Sequence, residues 1–421
     1  MPRQQLAGLT TRGRCLLAAG LAVALCAVLV DERDLLRMAA FAMMLPLLAS
    51  AVVGYTRLRL RADRDLAPSR VAVGGDCQVR LTLRGTGRLC TQLLVDDVVP
   101  DALGGSCRAV VTHPPKAGVV KLSYPLRPVQ RGVHSLGPLI ARITDPLDLA
   151  QYGHSLAGHS RLVVIPAVVS LTGLPAGGEL GGNEVAGGRM GFGPGQDEVV
   201  VRSYRHGDDL RKVHWRTSAR RDELMVRVEE WPERGRATVF LDHRAAAHRG
   251  SGPAASLEYA VSLAASVYVH LRRHGQQARL VTADGLVLAG AADQTDHTID
   301  TALDALAALR VTDKPDLASG PAMAGRHDVV AVLGDLEPVA IRQLLAHRPG
   351  GRRSHAVLLD VATWDTAGDG SSGPVAADPA QAARLLIAAG WSVAVARPEQ
   401  PPASVWDQLC SSSRIKLVAP R

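Results

Sequence analysis

The sequence predicts a multi-domain membrane protein built from a two-helix transmembrane hairpin, a β-sandwich-like region and a C-terminal doubly wound α/β domain. Three observations carry this expectation. Residues 15–30 and 38–55 contain no charged side chain and are separated only by DERDLLR, so each is close to membrane length. From Arg57 to Leu171 short runs alternate apolar and polar residues between Gly, Pro and Asp turns, the period of antiparallel strands. After Arg236 apolar runs alternate with amphipathic stretches, as in βαβ units around a parallel sheet. The chain accordingly divides into a cytoplasmic tail (1–14), the hairpin (15–55), a β-rich domain (56–171), a Gly-rich linker with a dense polar segment (172–235) and the α/β domain (236–421).

Arg3, Arg12 and Arg14 precede the first apolar stretch, as they would in a secretory signal. A second membrane-length stretch follows at once, which favours a hairpin over a cleaved leader. Arg57, Arg59, Arg61 and Arg64 follow the second stretch, whereas Asp31, Glu32 and Asp34 outnumber Arg33 and Arg37 in the turn. The positive-inside rule then places both termini and all soluble domains in the cytoplasm of a multi-pass inner-membrane protein, leaving the turn outside. The first partner expected is the lipid bilayer.

In the β-rich region the runs RLRLRAD, VAVGGDCQVRLTLRG, TQLLVDDVV, VVKLSYPL and GPLIARITD suggest roughly seven strands, a sandwich or an open barrel. Residues 173–197 are Gly-rich without a hydrophobic period and read as an exposed loop. They lack the Lys-Ser or Lys-Thr ending of a P-loop. In the α/β region TVFLD (238–242), a strand pair over 278–290 turning at Asp284-Gly285, and the runs 328–335, 355–362 and 391–396 are strands, with helices near 255–273, 294–309, 335–347 and 378–389. Ligands of such a sheet bind beyond the carboxyl ends of its strands, which singles out Asp242, Gly334, Asp335 and Asp360.

Composition narrows the function classes. The formal charge of +8 is spread over Arg and Lys interleaved with acids, and aromatics are only 3% of residues, so neither a basic stripe nor a base-stacking platform for nucleic acid is expected. Cys15, Cys26, Cys77, Cys90, Cys107 and Cys410 form no C-x-x-C pair, which argues against zinc. With the β region in a reducing compartment, Cys77, Cys90 and Cys107 are expected to be thiols.

The densest segment is RSYRHGDDLRKVHWRTSARRDELMVRVEEW, residues 202–231. It resembles the signature of the bacterial domain of unknown function 58 family at Arg202, Tyr204, Gly207, Asp208, Asp209, Arg211, Trp215, Ser218, Ala219, Arg220, Leu224, Met225 and Val226. The resemblance implies a von Willebrand factor A-like fold for the α/β domain, and as partners a MoxR-type AAA+ ATPase and a transglutaminase-like membrane protein. It implies no known reaction and no cofactor. Read physically, Asp208 or Asp209 caps a helix running to about Ser218, Arg211 reaches Trp215 one turn later, and LMVRV is a strand. Two readings stay open for these residues: a structural clasp, or a docking surface. His214 and Ser218 have the types of a base and a nucleophile but no third orienting group.

The von Willebrand A-like resemblance also implies a divalent-metal motif, Asp-x-Ser-x-Ser, after the first strand. Here the run is Asp242-His243-Arg244-Ala245-Ala246. Both serines are lost and a guanidinium enters, so Asp242 and Asp335 are expected to be a degenerate site that holds no metal. The function expected is a membrane-anchored, non-enzymatic interaction or scaffold module. The alternative is a hydrolase or transferase using the carboxyl edge of the α/β sheet.

Overall fold

The computed structural model describes residues 6–55, 59–86, 92–111, 117–175, 199–203, 220, 225–229, 236–290, 297–317, 327–346, 353–364 and 378–418. The chain divides into two compact units, Met1–Ala167 with Asp304–Leu309, and Val168–Leu303 with Arg310–Arg421.

The first unit begins with strand β1 (Leu6–Leu9), followed by helices α1 (Thr11–Val30) and α2 (Arg33–Tyr55). Both helices are long and apolar enough to cross a membrane, and only 17% of each apolar window is buried, unlike the core helix of a soluble protein. They pack closely because Gly20 has no side chain: a Cβ there would lie 2.7 Å from Met43 Cγ. The turn is shorter than the sequence suggests. Asp31 takes a left-handed conformation (φ 51°) that ends α1, and helix resumes at Arg33, so Asp34 and Arg37 pair at 2.8 Å on its first turn. The N-terminal residues also do more than form a tail, since β1 joins a sheet.

That sheet has five strands in the order β1-β10-β9-β5-β6, where β5 is Gln92–Asp97, β6 Cys107–Val111, β9 Leu139–Thr144 and β10 Ala150–Ala157. Two three-stranded sheets complete the unit: β2 (Arg59–Ala67), β4 (Cys77–Thr86) and β7 (Ala117–Leu126); and β3 (Arg70–Ala72), β11 (Ser160–Ile165) and β8 (Gly132–Leu136). The expectation of about seven strands was low because β6, β8, β10 and β11 carry polar residues that obscure the alternation. Leu81, Leu93, Leu126, Leu136, Leu139 and Leu162 form the core. One buried polar cluster pins it: Arg64 is fully buried on Asp97, also donates to the carbonyls of Leu136 (3.0 Å) and Gly158 (2.8 Å), and Tyr124 donates to the same carboxylate at 2.7 Å.

The second unit carries a six-stranded sheet in the order β16-β15-β14-β17-β18-β19. The strands β14 (Arg236–Leu241), β15 (Gln277–Thr282), β17 (Asp328–Leu333), β18 (Ser354–Leu359) and β19 (Ser392–Ala396) are parallel, and β16 (Val287–Ala289) is an antiparallel edge. Every residue of β17 and β18 is buried, as expected for strands covered on both faces. Helices α3 (Ser256–Arg273) and α7 (Pro402–Val418) pack together and against the sheet, and α6 (Pro379–Ala388) covers β18 and β19 with α5 (Pro338–Ala346) beside it. Helix α4 (His297–Ala308) precedes β17. The expected helix at 335–347 starts later, at Pro338, whose fixed φ suits a first helical position.

Candidate functional site

The carboxyl edge of this sheet gathers the residues that the sequence singled out. Asp242 follows β14 and is held there by its backbone N–H on the Val332 carbonyl (2.9 Å). Beyond it the chain takes a 3₁₀ turn, Ala245–Ala247. The turn packs so closely on the end of β17 that a Cβ at Gly334 would lie 2.1 Å from the Ala247 carbonyl oxygen. Only glycine fits there.

Arg244 folds back over Asp242. Its Nε donates to Oδ1 at 2.9 Å and its Nη2 to Oδ2 at 2.7 Å, while its own backbone N–H reaches Oδ1 at 3.1 Å. Nη1 donates to the Pro315 carbonyl at 2.9 Å, and Nη2 also to the Asp335 carbonyl at 3.2 Å. The Asp242 side chain is 0% exposed and that of Arg244 6%, so this is a buried bidentate pair, the strong form of a charge-assisted bond. Burial opposes the guanidinium charge. The bond to Asp242 and the fields of Asp242, Asp335 and Glu337 outweigh it and raise the proton affinity of Arg244. The residues do not fit a divalent ion, because both oxygens of Asp242 are taken by a cation of this chain and the same cation reaches the Asp335 loop.

The other carboxylates of the edge are partnered too. Arg249 Nη2 lies 3.9 Å from Asp335 Oδ2, and Arg397 Nε lies 3.3 Å from Asp360 Oδ2. Beyond β15, Asp284 accepts the Thr282 hydroxyl at 2.6 Å and lies 3.7 Å from His243 Nε2. Burial raises the Asp284 value, but the Thr282 bond and His243 outweigh it, so its carboxyl titrates below its ordinary range. Burial pushes His243 down, against the pull of Asp284 and Asp242.

His248 and Ser256 were not legible in the sequence. His248 Nε2 lies 2.8 Å from the Asp242 carbonyl, which can only accept, so Nε2 carries the proton and Nδ1 accepts from the Ser256 hydroxyl at 3.1 Å. Ser256 also accepts the Arg249 N–H at 2.9 Å and is fully buried. A Ser–His contact buried in this way braces the loop and offers no nucleophile to a substrate. Burial dominates the His248 environment and lowers its pKa. At the same edge Gly334, Asp335, Leu358, Leu359 and Asp378 line a cavity of about 10 Å³, room for roughly one water.

Most of the signature lies outside the described residues: Tyr204, Gly207, Asp208, Asp209, Arg211, Trp215, Ser218, Ala219 and Leu224. Its two ends are described. Strand β12 (Val199–Ser203) pairs antiparallel with β13 (Met225–Glu229), with Arg202 opposite Val226 and Ser203 opposite Met225. The first and last signature residues therefore meet in one antiparallel ladder. Arg220 is helical and exposed. Residues 200–347 match the model of a family described as "Protein of unknown function DUF58". No curated protein matches the chain.

Proposed function

With residues 200–347 belonging to the DUF58 family, we propose that the chain is a membrane-anchored, non-enzymatic interaction module. In this reading α1 and α2 cross the inner membrane, both termini and all soluble parts are cytoplasmic, and a von Willebrand A-like domain presents the signature segment to a partner. The partner class is a MoxR-type AAA+ ATPase or a transglutaminase-like membrane protein.

The observation that carries the proposal is the self-neutralised carboxyl edge. Where an enzyme of this architecture would offer open polar groups in a cleft, Asp242, Asp335 and Asp360 each have an arginine of the same chain. The sheet order, with one antiparallel edge strand, supports the von Willebrand A-like reading, and Arg244 in place of a metal supports its being metal-independent. Crosslinking in native membranes followed by mass spectrometry tests the partner: capture of an AAA+ ATPase, lost on deleting 204–224, is expected. Orientation is tested by thiol labelling in intact cells. A cysteine at Leu35 should react and one at Ser251 should not; reaction at 251 would reverse the topology.

A further inference from the structure

The start of the first apolar helix is built into the β-sheet unit. Strand β1 pairs with β10 from Leu6↔Gly153 to Leu9↔Ala150. The Thr10 N–H donates to the Leu149 carbonyl at 2.9 Å, and its hydroxyl donates to the Asp148 carbonyl at 2.5 Å. The same hydroxyl accepts the Gly13 N–H at 3.2 Å, so one oxygen caps α1 and fastens it to the turn 145–150. Gly13 is seated against that turn: a Cβ would lie 2.1 Å from the Leu149 carbonyl oxygen. Arg12 adds an ion pair to Asp148 at 3.3 Å.

The turn is stiff. Buried Asp145 accepts the backbone N–H groups of Leu147 (3.0 Å), Leu149 (2.7 Å) and Ala150 (2.6 Å). Its outer side carries Pro146 and Leu147, both exposed, Leu147 to 57%. A well-fastened turn thus presents two apolar residues outward, open to a cover.

The helix identifies the cover. At 1.5 Å per residue, the apolar part of α1 from Cys15 to Val30 rises about 24 Å, most of the thickness of the hydrocarbon layer. The apolar run starts at Cys15, five residues after Thr10, which sets the cap and its turn about 7 Å outside that layer, among the headgroups. Arg12 and Arg14 are exposed at the same level, where arginines extend towards lipid phosphates.

We infer that Pro146 and Leu147 form a second membrane contact, an interfacial tip that enters the headgroup layer beside Arg12 and Arg14. This rests on the reading that α1 and α2 cross a bilayer. The consequence is mechanical: the five-stranded sheet of the first unit rides on the start of α1 at a fixed height, gripped at β1, Thr10 and Gly13.

The test is photocrosslinking of the full-length chain in nanodiscs of phosphatidylcholine mixed with phosphatidylglycerol. Benzoylphenylalanine is placed at Leu147, at Leu25 within α1, and at Val110. Val110 is exposed to 57% on β6, at the edge of the five-stranded sheet opposite β1. Lipid adducts at position 147 should approach the yield at position 25 and exceed that at 110 several-fold. Adducts at 25 with only the Val110 level at 147 would overturn the tip and leave the anchor standing. No adduct at 25 would sink the membrane reading itself, and the tip with it.

Discussion

Replacing Arg244 by Ala tests whether the guanidinium stands in for a metal ion. The substitution leaves the Asp242 side chain, 0% exposed, with only the Arg244 backbone N–H at 3.1 Å among the described residues, and it removes donors from the Pro315 and Asp335 carbonyls. Breaking a buried pair by deleting one partner costs about 3–5 kcal/mol, because the remaining charge stays out of water. For a unit of roughly 250 residues each kcal/mol moves the midpoint about 2–4 °C, so a loss of about 10 °C is expected. Intrinsic fluorescence reads the right unit, since Trp215, Trp231, Trp364, Trp391 and Trp406 all follow Val168. The full chain in detergent is melted as wild type, Arg244→Ala, and Asp242→Asn combined with Arg244→Ala. The double variant should recover most of the loss, because no ionised group is then left buried. An Arg244→Ala midpoint within about 1 °C of wild type would refute the argument, since a surface substitution does no more than that. So would a double variant no better than the single one.

Three further outcomes are expected. Titrating wild type with Mg²⁺ or Mn²⁺ should leave the fluorescence-detected midpoint unchanged, whereas a native-state ligand at 100 times its Kd would add about 2.7 kcal/mol; a saturable rise abolished by Asp242→Ala refutes metal independence. Acidification should destabilise the second unit: burial lowers the folded-state values of His243, His248 and His270, so below the ordinary imidazole value of about 6.5 the unfolded chain binds protons that the folded chain refuses, and stability falls with falling pH. His248→Gln should flatten that slope, and a stability curve level from pH 7.5 to 5 would contradict the assignment. Arg220→Glu, at an exposed position, should change stability by no more than about 0.5 kcal/mol yet reduce partner capture in the crosslinking experiment and flatten its salt dependence; a large loss of stability would make the signature a clasp.

What could be read from the sequence follows the distance over which the responsible contact acts. DVVAVL and SHAVLL are continuous apolar runs because both of their faces are covered, so β17 and β18 announce themselves locally. Strand β10, AQYGHSLA, has a glycine, a histidine and a serine where alternation would show, and it is a strand because β1 and β9 flank it. The serine-rich stretch of α7 weakens its apolar stripe, and that helix was missed. The same contrast governs the site. Arg244 is visible in the sequence as a misfit in a metal motif, which says what is lost; that its guanidinium turns back on Asp242 and reaches a carbonyl 91 residues away has no periodic signature. His248 and Ser256 are eight residues apart across a loop, a spacing that no helix or strand repeats. The Thr10 cap is the extreme case, since its hydroxyl answers to a carbonyl 138 residues on. The Arg244–Pro315 and Thr10–Asp148 contacts end on backbone carbonyls, and such a carbonyl is present whatever the residue type. Side-chain identity at the donor alone therefore marks such a contact, which is why Arg244 stood out in the sequence and the Pro315 carbonyl it reaches did not.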